Sequence, residues 1–120
     1  MPRSAAAYLS DILEACDAIA DVLDGVDLSM YCTRRPIRSA VEREFTIIGE
    51  AMVALGRRNP DIAQRIENAR LIVGFRNRLV HEYPQIDAET VYAIAQQDTA
   101  DLREQCAELL RFVVNSSSQS

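Results

Sequence analysis

Apolar side chains recur every three or four residues along most of this chain, the period of one face of an α-helix. Leu9, Ile12, Leu13, Cys16, Ile19, Ala20 and Leu23 form the first stripe. It predicts a helix from about Ser4 to Asp24, stopped near Gly25. Gly25 to Arg35 has no clear period and reads as a loop. Pro36 suits the first turn of a second helix. Its stripe is Ile37, Val41, Phe45, Ile48, Met52 and Leu55, and it should end around Gly56. Asn59 and Pro60 then give a capping side chain followed by a proline, which marks a third helix start. Ile62 and Ile66 continue one face, and Leu71, Ile72, Phe75, Leu79 and Val80 carry the pattern to about His81, with a kink near Asn68. Pro84 disfavours helix for Tyr83, so the chain should leave the helix around Glu82. Asp87 looks like the cap of a last helix with Val91, Ile94, Ala95, Leu102, Cys106, Leu109 and Val113 inward.

No segment alternates with period two for long, so no sheet is expected. The reading is all-α: an up-and-down bundle of four helices, or five if the third divides. One domain should span residues 1–114, followed by a flexible polar tail at 115–120.

Composition agrees with this. A chain of 120 residues fits one domain, and 48% hydrophobic content supports a folded core. No apolar run approaches the ~20 residues of a membrane span. No signal peptide is evident at Met1 to Tyr8, so a cytoplasmic location is expected. Cys16, Cys32 and Cys106 are odd in number, far apart and without metal-type spacing, which points to reduced thiols. With a single histidine, neither a metal site nor a cofactor site is anticipated.

Net charge is −5, but it is unevenly spread. Residues 34–81 hold ten arginines and five acids, a local +5, against −10 for the remainder. The basic middle is a candidate phosphate surface. No lysine occurs anywhere in the chain.

Gly74 to Pro84 concentrates the side chains capable of chemistry. His81 is the one group whose ordinary pKa lies near neutrality. Asn77 precedes it by four residues, so both share a helical face. Arg76 flanks that face at about 100°. Beyond the helix, Tyr83 shares a side with His81 if the chain is extended. Such a set suits RNA cleavage through the ribose 2′-OH. Histidine would move the proton, arginine would hold the phosphate, and asparagine would orient the histidine or donate to phosphate. One helix supplies too few groups, whereas a dimer would supply two histidines. From these residues alone, a plain helix-end cap at His81 outweighs the catalytic reading.

The spacing Arg76-x4-His81-x-Tyr83 resembles the Arg-x4-His-x-Tyr motif of HepT, the HEPN toxin paired with a minimal nucleotidyltransferase antitoxin. Tyr8 to Glu14 is similar to the first helix of that family, and Ala40 to Ala51 is similar to the second. Relatives often carry Pro-Trp before the motif helix. This chain has Pro60-Asp61 there, and no tryptophan.

The resemblance implies a HEPN-type bundle, a homodimer with both motifs at a shared cleft, and endoribonuclease activity that needs no metal. It implies catalytic Arg76, Asn77 and His81, with RNA-phosphate contacts expected from Arg70 and Arg78. It also implies neutralisation by a cognate nucleotidyltransferase that transfers AMP onto Tyr83. An alternative is a non-catalytic HEPN dimer that acts as a scaffold for the nucleotidyltransferase. A DNA-binding bundle is disfavoured, for it lacks a clear recognition helix and has the wrong overall charge.

Overall fold

Ser4 opens helix α1 (Ala5–Leu23), its hydroxyl accepting from the Ala7 amide at 3.2 Å. In the computed structural model, which describes residues 3–81 and 87–118 with side chains for 3–79 and 87–116, α1 ends before Gly25. Gly25 has φ +73°, a conformation that favours glycine. Leu9, Ile12, Cys16, Ile19 and Leu23 are buried, as the period predicts. Ala20 faces solvent, and Ala15 takes the inward place instead.

The segment expected to be a loop contains a further helix, α2 (Leu28–Thr33). Six residues cannot display a hydrophobic period, which is why the stripe analysis passes over it. Its start is nonetheless capped: Asp27 Oδ1 accepts from the Met30 amide at 2.8 Å. Arg38 Nη1 donates to the Cys32 carbonyl at 2.7 Å, satisfying the other end. Tyr31 is fully buried against the ring of Tyr92 at 5.4 Å. The Tyr92 hydroxyl in turn donates to the Val26 carbonyl at 2.8 Å, fastening the α1–α2 connection to the last helix.

Helix α3 (Arg35–Arg58) starts at Pro36 as expected and runs one residue pair past Gly56. The third predicted helix does divide, into α4 (Pro60–Ala63) and α5 (Ala69–His81). The break sits at Asn68, which adopts φ +63°. Asn59 occupies the cap position of α4, but its side chain makes no capping hydrogen bond, contrary to expectation. Helix α6 (Ala88–Ser118) begins at Asp87, whose carboxylate accepts from the Glu89 amide and the Thr90 hydroxyl, both at 3.3 Å. Its helix continues to Ser118, so the first four residues of the expected tail are helical.

No strand occurs among the described residues. The four long helices form an all-α bundle. Helix α1 is central, packed on α3 and α6, while α5 packs chiefly on α3. A cleft therefore stays open between α5 and α6, lined by Phe45, Ile48, Leu71, Phe75 and Leu102. Leu71 stands at its lip, 70% exposed. No helix among the described residues is long and apolar enough to cross a membrane.

Two of the three thiols are sealed in the core. Burial pushes both Cys16 and Cys106 up to about 12. A raised thiol pKa keeps the group protonated, and the thiolate is the reactive form. Cys32 is exposed. An alkylating reagent at pH 7.5 should therefore label one thiol per native chain and three in denaturant, counted by intact mass. Rapid labelling of Cys16 in the native protein would contradict this burial.

Candidate active site

Helix α5 is a two-sided element. Ile72, Phe75 and Leu79 turn toward the core, with the Phe75 ring edge-on to Phe45 at 5.0 Å. Arg70, Gly74 and Asn77 lie on the exposed side. Arg76 sits at the boundary, and its stem crosses α3 at Gly49. A Cβ built on Gly49 would overlap Arg76 Cβ and Cγ, so the crossing requires glycine there. Gly49 thus lets α3 and α5 pack closely, with the Arg76 stem as its partner.

Beyond the crossing, the guanidinium meets two groups. Nη1 donates to Asn77 Oδ1 at 2.9 Å. Nη2 lies 3.4 Å from Glu50 Oε1, also on α3. The Arg76 side chain is only 23% exposed, whereas Glu50 is 59% exposed. Nε is buried with no hydrogen-bond partner among the described residues. A half-exposed pair of this length contributes at most about 1 kcal/mol. What it restricts is the direction of the guanidinium.

Arginine has no acceptor, so the oxygen of Asn77 must be the atom that meets it. The Asn77 amide nitrogen keeps its two donors. Those donors suit either role anticipated for this residue, orienting the histidine or donating to phosphate.

Arg76 and Asn77 are therefore brought together. Arg70 precedes Asn77 by seven residues, about 10 Å along the same stripe of α5. Arg78 follows Arg76 by two positions and leaves the helix about 200° round from it. His81 is the last residue of α5, and the helix from Arg76 to it is unbroken. The His81 side chain lies outside the described residues, as does Tyr83. Among the described residues, no three His, Cys, Asp or Glu side chains gather as a metal site would require. The contact of Glu50 with Arg76 depends on how α3 and α5 are registered, which no local pattern in the sequence encodes.

Comparison with known proteins bears on this arrangement. The family model described as ribonuclease HepT-like matches residues 12–109. A candidate RNase of Methanocaldococcus jannaschii is 30% identical over 105 residues, covering 86% of this chain and 94% of the relative. A probable ribonuclease HepT of Thermococcus cleftensis is 30% identical over 107 residues, covering 86% and 93%. A second M. jannaschii candidate RNase is 24% identical over 120 residues, covering 98% and 97%. No solved structure matches significantly. A match that takes in α3 and the whole of α5, on a helical bundle whose arginine is seated beside Asn77, places the chain in the HepT-like ribonuclease family.

Proposed function

We propose that this protein is the ribonuclease toxin of a toxin–antitoxin pair. The observation that carries the reading is the seating of Arg76 against Asn77 on an unbroken helix ending at His81. In the proposed reaction, the ribose 2′-OH attacks the adjacent phosphorus and the 5′-oxygen leaves. A neutral His81 takes the 2′ proton, and a protonated His81 from a second copy gives one to the 5′-oxygen. The products are a 2′,3′-cyclic phosphate and a 5′-hydroxyl. Arg76 holds the phosphate and offsets its developing charge, with Asn77 donating to a phosphate oxygen.

Two histidines require two copies. Leu79 is buried in the core and cannot serve a dimer contact. Leu71 is the better candidate: it is exposed, apolar and on the same helix. The cleft beside it is rimmed by Asp98 and Asp101 on α6, while Arg70 lies on α5. A two-fold pairing sets the knob of each copy in the cleft of the other and opposes unlike charges.

Neutralisation completes the proposal. The Tyr83 hydroxyl attacks the α-phosphorus of ATP within the partner nucleotidyltransferase, releasing pyrophosphate and leaving AMP on the ring. The added phosphate then competes with RNA for Arg76. Intact-mass analysis after incubation with the partner and ATP should show added AMP and lost cleavage. Both should be absent in Tyr83→Phe. Equal modification and silencing of Tyr83→Phe would place the control elsewhere.

A further inference from the structure

We infer that Gly49 and Glu50, adjacent on α3, position Arg76 for RNA cleavage. The inference rests on the proposed ribonuclease reaction. Gly49 removes the atom that would block the arginine stem, and the stem lies directly on the α3 backbone as a result. Glu50 then meets the head through Nη2, from the side opposite in sequence to Asn77. The guanidinium is thereby held from two helices at once.

This arrangement has a physical reason. An arginine side chain has many rotamers, and its planar fork is useful only in one orientation. Most of the Arg76 side chain is out of water, and Nε is buried without a partner among the described residues. A cation so placed needs a nearby acceptor to keep it there. Glu50 supplies one, and it remains exposed enough to adjust when a phosphate arrives. Glu50 does not touch RNA in this view; it acts through Arg76.

Glu50→Ala should lower kcat about tenfold, the scale on which small misplacements act, with KM within about twofold. Glu50→Gln keeps an acceptor oxygen at the same reach and should recover most of the rate. In an Arg76→Lys background, Glu50→Ala should cost little more, since the residue it acts through has already gone. An equal further loss in that background, or a wild-type rate for Glu50→Ala, overturns the inference.

A readout independent of cleavage is the Arg76 Nε–H signal in a proton–nitrogen NMR spectrum, assigned by its loss in Arg76→Lys. It should be sharp in the wild type and broadened or shifted in Glu50→Ala. Gly49→Ala should move it too and weaken cleavage, although alanine is the better helix former. If the wild-type chain cleaves no RNA, the proposed function fails and the NMR result still decides the positioning. An unchanged signal in both variants removes it.

Discussion

Replacing His81 with alanine is expected to lower RNA cleavage by roughly 10²-fold or more without unfolding the protein. His81 is the one histidine of the chain, so no second imidazole can take over. In the proposed dimer the substitution removes the base and the acid together. Arg76→Lys should also be poor, because an ammonium is a point charge and cannot reproduce the contacts to Asn77 and phosphate in one plane. Wild-type cleavage should persist in EDTA and leave a DNA strand of the same sequence intact, since DNA lacks the attacking hydroxyl. The comparison to make is initial rate on one RNA for wild type and both variants. Equal rates for wild type and His81→Ala would dispose of the assignment.

Leu71→Glu should have an effect of similar size by a different route. Leu71 is 70% exposed, so the substitution leaves the core of the monomer untouched. In the proposed dimer it puts a carboxylate into the partner's cleft, close to Asp98 and Asp101. A central interface residue is worth about 2 kcal/mol or more, at least some thirtyfold in dimer affinity. Sedimentation at micromolar concentration should give twice the chain mass for wild type and the chain mass for the variant. Cleavage per chain by the variant should fall and then recover as protein concentration rises. That recovery separates it from His81→Ala, which no concentration restores. A variant that sediments as wild type would show that the dimer, if formed, uses another face.

The long helices were legible because their stripes repeat several times. Leu9, Ile12, Cys16, Ile19 and Leu23 define one face without ambiguity, and all are buried. Alanines are too small to declare a side, which is why Ala20 and Ala15 exchange places. Helix α2 was hidden by its brevity, although Asp27 marks its start. Asn59 shows the limit of reading caps from residue type: the position is right, but the side chain makes no capping hydrogen bond. At the site, Arg76 and Asn77 are both legible as candidates, but successive helical residues point about 100° apart, so their hydrogen bond is a finding of the structure. Glu50 stands 26 residues from Arg76, and only the packing of α3 on α5 joins them. The exposure of Leu71 was equally out of reach, because it follows from what α5 does not pack against.

That same lopsided support of α5 has a dynamic consequence. Helix α1 is clamped between two long neighbours, while α5 leans chiefly on one. Opening such a helix exposes less apolar surface than unfolding the whole bundle, so its amides should exchange with solvent through local excursions. The segment from Ala69 to His81 is then the first to loosen on warming, ahead of α1 and α3. Anything that fills the cleft beside Leu71 and Phe75 would quiet those excursions and, in doing so, steady Arg76 as well.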